Sequence, residues 1–285
     1  MAANLSLAAV APNLASPGEA APAPLANGAF LFEMIVADLH WTGLQIAALS
    51  MMASACAAPG AAFSLHSCRH LAYDDTRVMQ LALRYGEDAG LPLELRRKLD
   101  RLYADLSEIQ KQIAPFVAAA SLSATQRAQL PRIAPGLRKL ALAAAEALGA
   151  LEAPARGRLD GNYAEDSQTI RQFLARAARG DTGEIDRFGV LTTPRLKQRR
   201  QSPRAPVDRP CRLLTGKGEF EARLVDVSRE GLGLACAAAL AAGDAVAVMV
   251  GARRLEATVV RRQGEHVGLT LRRPLAFTDP LFRAA

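Results

Sequence analysis

The sequence predicts a two-part fold, an all-α helical domain followed by a small antiparallel β-barrel. Three observations lead to this prediction. At 285 residues the chain is too long for one small core and suggests two domains. Half of its residues are apolar but only 5% are aromatic, and the prominence of alanine and leucine favours helices over most of the length. After Arg209 the pattern changes to short Val- and Leu-rich runs that are separated by turn residues.

Residues 1–28 are expected to form a disordered tail. Ala, Pro, Gly, Ser and Asn dominate them, so they bury too little apolar surface to offset the entropy of ordering. No Lys or Arg precedes Arg69, so the charged start of a secretory signal is missing. The charge-free stretch Trp41–Leu65 is rich in Ala and Ser and is broken by Pro59-Gly60, so no membrane span is expected there.

The cysteine content indicates a cytoplasmic protein. Four cysteines in a chain of this length do not make a disulfide framework and fit reduced thiols better. His66 and His70 share a helix face, but Cys68 between them points away and no second cluster of metal-ligating residues is recognisable. No metal site is therefore expected.

Residues 29–180 are predicted to form a helical bundle or a set of coiled hairpins. The clearest helix is Leu95–Ile113, in which Leu and Ile recur at spacings of 4-3-4-3-4 residues. This stripe is either core or the seam of a homo-oligomer, and the domain as a whole is expected to contact a protein partner. Further helices are predicted at Ala29–Ala57, Leu71–Tyr85, Pro135–Leu151 and Asp166–Arg179.

Two helix boundaries carry local signals. Ser123, followed three residues later by Gln126, fits a capping box that opens a helix. Pro131 and Pro135 are expected to interrupt this helix. Gly180 is expected to end the last helix of the domain, because glycine is favoured just beyond a helix C-terminus.

Residues 181–198 are predicted to be a linker, since turn-forming residues stand at both ends. Residues 199–277 then show the strand pattern of a six-stranded antiparallel barrel or sandwich. Residues 278–285 are predicted to be a C-terminal tail with a helical turn at Asp279–Phe282. The predicted strands are Cys211–Thr215, Glu219–Val227, Gly231–Ala237, Ala245–Val250, Leu255–Gln263 and His266–Leu271.

Two short motifs lie near the first predicted strands. The run Arg199–Arg204 reads R-R-Q-S-P-R and contains the pattern RxxxR, filled by Arg200 and Arg204. The run Asp226–Gly231 reads D-V-S-R-E-G and fits DxSxxG. Each pattern alone fits many proteins. The pair, in this order and followed by strand-like sequence, resembles the PilZ domain.

The resemblance covers residues 195–275 and implies a β-barrel that binds the bacterial second messenger cyclic di-GMP. In PilZ domains the arginines of RxxxR bind phosphates and guanine, and the DxSxxG loop surrounds a guanine. An arginine directly before RxxxR, here Arg199, accompanies a stacked pair of ligand molecules in similar proteins, which implies two molecules per domain. The run His266–Leu269 also resembles the family's last strand. The implied ligand-binding residues are Arg199, Arg200, Arg204, Asp226, Ser228 and Gly231.

The residue types suit such a ligand. A guanidinium donates two hydrogen bonds to a phosphate or to O6 and N7 of guanine, and it also stacks on a base. The Asp226 carboxylate accepts from guanine N1–H and the exocyclic amine, and the Ser228 hydroxyl either pins the turn or contacts the base edge. Gly231 either permits an unusual backbone conformation or lets the ligand approach the chain. No cofactor is expected besides the ligand.

Charge distribution supports an anionic partner at the barrel. Residues 195–285 hold 17 Lys and Arg against 9 Asp and Glu, whereas residues 1–194 hold 18 against 19. A solvated basic surface, a nucleic-acid-binding barrel and a PilZ-like docking scaffold that ignores nucleotide are the alternatives. A nucleic-acid-binding barrel is disfavoured because this part of the chain has few aromatic residues for base stacking. An enzyme is not expected, since Walker, zinc-hydrolase and nucleophile-elbow motifs are missing. Similar PilZ proteins control motility, exopolysaccharide synthesis or virulence, so the resemblance implies an output of this kind.

Overall fold

The computed structural model describes residues 28–57, 76–119, 122–159, 161–187, 189–197, 202–276 and 279–282, without the side chains of Arg77 and Val78. The expected N-terminal tail therefore lies outside the described residues, apart from Gly28. Within these ranges, five helices precede six strands and a final 3-10 helix. The helices are α1 (Gly28–Cys56), α2 (Thr76–Leu83), α3 (Leu93–Ala118), α4 (Ala124–Ala155) and α5 (Gly161–Ala178). The strands are β1 (Ala205–Thr215), β2 (Gly218–Val227), β3 (Gly231–Ala235), β4 (Ala245–Val250), β5 (Arg253–Gln263) and β6 (His266–Leu271), and the 3-10 helix is Pro280–Phe282.

Helix α1 is the central element of the helical part. It is apolar on almost every face, and 23 of its 29 residues are buried. A helix that is apolar all round needs neighbours on several sides, and α1 packs against α2, α4 and α5. Two of its carboxylates accept from tyrosines of other helices: the Tyr103 hydroxyl donates to Asp38 over 2.7 Å, and the Tyr163 hydroxyl donates to Glu33 over 2.7 Å.

The predicted stripe on α3 is part of the core. Its residues Leu95, Leu99, Leu102, Leu106 and Ile113 are buried, and α3 packs against α2 and α4 of the same chain. The helix predicted from the Leu and Ile spacing is confirmed, and the apolar stripe is explained by packing against helices of the same chain. An oligomer through this stripe would require the side chains to leave the bundle.

Helix α4 departs from expectation at its prolines. The capping box is confirmed, since Gln126 N donates to the Ser123 hydroxyl over 3.2 Å and Ser123 N donates to Gln126 Oε1 over 2.9 Å. The expected interruption is wrong, because α4 continues through Pro131 and Pro135. A proline inside a helix costs about 3 kcal/mol. Burial of leucines on both sides of the prolines, such as Leu130 and Leu137, offsets that cost.

Helix α5 ends as predicted, with Gly180 just beyond it at a φ of +75°. The following segment forms a small turn closed by a bridge between Ile185 and Leu191. Its end is attached to α5: Lys197 N donates to the buried Asp166 carboxylate over 2.8 Å, and the Lys197 ammonium pairs with Glu165.

The six strands form a closed antiparallel barrel in the order β1-β2-β3-β6-β5-β4, which confirms the predicted fold class. Its interior holds apolar side chains from alternating strand positions, among them Leu213, Leu224 and Val259. The first strand begins at Ala205 and not at Cys211 as expected. Only the C-terminal part of β1 pairs with β4, and its register with β2 shifts beyond Pro206. Pro206 and Pro210 therefore lie where β1 has a neighbouring strand on one side only, so the missing N–H groups of the prolines are tolerated.

Residues 279–282 also pack against the rest of the described structure. The predicted helical turn is present as the 3-10 helix, in which Leu281 and Phe282 are buried. Phe282 meets Phe30 of α1 with ring centroids 5.3 Å apart. Arg253 of β5 donates two hydrogen bonds of 2.6 Å to the Asp279 carboxylate, which holds the 3-10 helix against the barrel. Among the described helices, none combines the length and hydropathy of a membrane span.

Candidate ligand-binding site

The two sequence motifs converge where β1 begins and β2 ends. Antiparallel pairing places Ala205 opposite Val227 and Pro206 opposite Asp226. Arg204, one residue before β1, is therefore brought to the start of the second motif, and its guanidinium forms an ion pair with the Asp226 carboxylate. Arg199 and Arg200 lie outside the described residues. Of the six predicted ligand-binding residues, the structure thus brings together Arg204 and the DxSxxG loop.

The Arg204–Asp226 pair is only partly accessible. The side chain of Arg204 is 21% exposed and that of Asp226 is 32% exposed. An ion pair at this depth is less screened than a surface pair. A guanine that bonds to Asp226 must therefore share the carboxylate with Arg204 or take its place.

A bulge aims the aspartate. The pairing of β2 with β3 shifts register between Leu224 and Asp226, so that Val225 is extra on its strand. A bulge of this kind bends the strand and redirects the neighbouring side chain. Val225 is 37% exposed and forms part of the cleft wall beside Asp226.

Ser228 closes the loop of the second motif. Its backbone N–H donates to the Gly231 carbonyl over 2.8 Å, and its hydroxyl accepts from Gly231 N over 3.1 Å. The hydroxyl also lies 3.2 Å from the Gly231 carbonyl oxygen, to which it donates. Because Ser228 is buried, its geometry shows the turn-pinning role in the free protein.

Gly231 is required by close packing of the barrel. A Cβ at this position would lie 2.5 Å from the Leu269 carbonyl oxygen of β6. Its φ is not positive, so the expected unusual conformation is not the reason for glycine here. The close approach concerns a neighbouring strand of the barrel itself.

Residues from β3, β5 and β6 complete a cleft of about 190 Å³ beside Arg204 and Asp226. A Cβ on Gly233 would lie 2.6 Å from an Asp226 oxygen, and one on Gly268 would lie 2.9 Å from Cγ of Arg261. These two glycines therefore leave room for the charged side chains of the cleft. Its further polar lining residues are Arg261, Gln263 and His266.

Sequence reasoning missed this far wall. Arg261 and His266 stand well beyond the second motif. The pairing of β3 with β6, and of β6 with β5, brings them next to Asp226. A partial signal existed in the run His266–Leu269, which resembles the last strand of the family. The cleft is smaller than the roughly 300–1,000 Å³ of a typical small-molecule site. The described part of the site accordingly accommodates only part of a dinucleotide.

Comparison with protein families agrees with this geometry. Residues 198–279 match the family model of the PilZ domain. The barrel is a PilZ domain. The match covers less than a third of the chain, and no family matches the helical part. A search of curated proteins finds no relative of the chain. PilZ domains are ligand-binding receptors for cyclic di-GMP and are not a known enzyme family, so the PilZ domain of this chain is of the receptor class.

Other candidate chemistry is limited. Within the described ranges, no three His, Cys, Asp or Glu side chains are grouped to hold a metal ion. The segment with His66, Cys68 and His70 lies outside those ranges. Cys56, Cys211 and Cys236 are buried free thiols, and burial raises the pKa of Cys211 to about 11. The Cys211 thiol is thus protonated at neutral pH and is a weak nucleophile.

Proposed function

We propose that the protein is a cyclic di-GMP effector in which the ligand joins the segment before β1 to the barrel and thereby reorients the helical domain. The observation that supports the proposal is the Arg204–Asp226 ion pair, because it brings one residue of RxxxR and one residue of DxSxxG together in the same cleft. A ligand with two phosphates and two guanines offers groups to both motifs. The chain itself acts by binding and not by catalysis.

The roles of the residues follow from their chemistry. Arg200 and Arg204 donate to phosphate and guanine, and Asp226 accepts from a guanine Watson–Crick edge. Ser228 and Gly231 shape the loop that surrounds this base. Arg199 belongs with a second, stacked ligand molecule, so we expect two cyclic di-GMP molecules per chain.

Coupling to the helical domain runs through Lys197, which lies two residues before Arg199. The backbone N–H and the ammonium group of Lys197 are held by Asp166 and Glu165 of α5. The ligand contacts Arg199 and Arg200, which closely follow Lys197, and Lys197 is attached to the bundle. A change in the path of that segment is therefore transmitted to α5, and the helical domain presents a different surface to a protein partner in motility, exopolysaccharide or virulence control.

Isothermal titration calorimetry of the full chain with cyclic di-GMP tests binding. We expect two molecules per chain, and Arg199→Ala should reduce this to one. Arg212→Ala is the matched control, because Arg212 lies on β1 and pairs with Glu219 away from the cleft. Lack of binding at about 100 μM, with the protein folded by circular dichroism, would contradict the proposal, since signalling ligands bind more tightly than that.

A spectroscopic distance measurement tests the reorientation separately. Spin labels can be placed at Leu142 of α4 and Val260 of β5, which are 53% and 58% exposed. Leu142→Cys, Val260→Cys and Cys68→Ser would be combined, leaving the buried cysteines unchanged. Cyclic di-GMP should shift the distance distribution between the labels. Tight binding with an unchanged distribution would refute the reorientation while leaving receptor function standing.

A further inference from the structure

The helical part contains a cavity that the proposed receptor function does not use. It is a groove of about 600 Å³ between α1, the C-terminal end of α4 and the first half of α5. This volume falls within the roughly 300–1,000 Å³ of small-molecule sites and exceeds that of the barrel cleft.

Apolar side chains from three helices line the inner part of the groove. Val36 of α1, Leu151 of α4 and Tyr163 of α5 are all buried, and Ala155 and Leu159 extend the apolar lining toward the surface. The Tyr163 hydroxyl donates to Glu33, and its ring, which also contacts His40, forms part of the groove wall. An apolar chain or ring placed here would be removed from water.

The charged lining residues of the groove are Glu152, Arg156 and Arg171. Arg171 pairs with Glu152 across the groove, whereas Arg156, at the end of α4, forms no ion pair with any described residue. The Ser167 hydroxyl lies 2.7 Å from Nε2 of His40 beneath it. Burial lowers the pKa of His40 to about 4, so the imidazole is neutral at pH 7 and adds no charge.

The described lining residues therefore carry two guanidinium groups against one carboxylate. Of these two cations, Arg156 has no ion-pair partner among the described residues, and it stands at the mouth of an apolar groove. This arrangement complements a molecule with a hydrophobic body and a single negative head.

We propose that this groove binds a small amphiphilic anion, whose apolar body lies against Val36, Leu151 and Tyr163 and whose carboxylate, sulfonate or phosphate meets Arg156. The site is separate from the barrel and does not depend on cyclic di-GMP. It would give the helical domain a ligand of its own, for which the sequence shows no motif.

Calorimetric titration of the full chain with decanoate tests the site. Burial of the decanoate methylenes favours association, so a dissociation constant below about 1 mM is expected. Arg156→Glu should weaken binding at least about tenfold, the loss of one charge-assisted contact. Arg132→Glu makes the same charge change on an exposed position of α4 outside the groove, and it should leave binding unchanged.

Two further measurements decide between a specific site and general hydrophobic binding. Ala164→Trp places a large side chain in the groove from an exposed position of α5 and should abolish decanoate binding while leaving the helical circular dichroism intact. Decyltrimethylammonium has the same tail and the opposite charge, and it should bind at least about tenfold more weakly. Lack of decanoate binding at about 1 mM, equal binding of the cation, or full binding to either groove variant would overturn the proposal.

Discussion

The cavity of the barrel and the cavity of the helical domain differ in how far the sequence predicts them. The barrel cleft is framed by two motifs whose residues meet because β1 pairs with β2, and three of its polar residues come from β5 and β6 after the sheet closes. The groove of the helical domain has no motif and arises where three helices leave space between them. Strand pairing fixes where the residues of the two motifs meet, so the motifs predict the barrel site. The groove of the bundle depends on how side chains from three helices pack, and no short sequence pattern predicts that packing.

The largest expected effect is a loss of barrel stability when the close contact between β3 and β6 is disturbed. Gly231→Ala places a Cβ against the Leu269 carbonyl and should lower the free energy of barrel unfolding by about 3 kcal/mol. Gly216→Ala is the control, because nothing lies within 4 Å of its Cβ position. Urea denaturation of both variants measures the difference. Equal stability would show that β3 and β6 move apart without penalty.

The next effect tests whether the two motifs act as one site. Arg204→Ala removes a charge-assisted contact and should weaken cyclic di-GMP binding by about 2–3 kcal/mol, roughly 30- to 150-fold. Combining it with Asp226→Asn should cost less than the sum of the separate losses, because the two side chains contact each other. Additive losses in calorimetry would indicate that the motifs bind the ligand independently.

A pH effect should appear in the helical domain. Burial lowers the pKa of His40 to about 4 against an ordinary value of 6.5, and the nearby Asp166 opposes this shift. Below pH 6.5 the unfolded chain takes up a proton that the folded chain does not, so the stabilisation present above pH 6.5 is lost as the pH falls toward 4.

Comparison with His40→Gln isolates this contribution. The wild-type advantage in unfolding free energy should shrink by about 2 kcal/mol between pH 7 and pH 5, at about 1.4 kcal/mol per pKa unit. Urea denaturation at several pH values, followed by helical circular dichroism, measures it. A constant difference between the two proteins would contradict the burial of a neutral imidazole beside Ser167.

The smallest expected effect is on a helix terminus. Ser123→Ala removes the hydroxyl that accepts from Gln126 N and should destabilise the helical domain by about 1 kcal/mol. Cyclic di-GMP affinity should stay the same, since α4 lies away from the barrel cleft. A loss of affinity comparable to that of Arg204→Ala would mean that the stability of α4 and ligand binding at the barrel are coupled.

Particular elements show how far local pattern extends. The heptad-like stripe of α3 and the capping box of α4 were predictable because both depend on residues within a few turns of one another. The continuation of α4 through Pro131 and Pro135 was not, since the leucines that compensate for the prolines act through contacts with other helices. The early start of β1 was missed for the same kind of reason, because its prolines are tolerated only where one side of the strand is unpaired.

The residue pattern alone predicts that a helical domain precedes a PilZ barrel containing RxxxR and DxSxxG, because these features depend on short-range spacing and residue chemistry. Folding is what pairs Arg204 with Asp226, places Arg261 and His266 in the same cleft, and sets Arg156 at the mouth of a second cavity. These relations join residues that are distant along the chain, and they exist only after strands have paired and helices have packed.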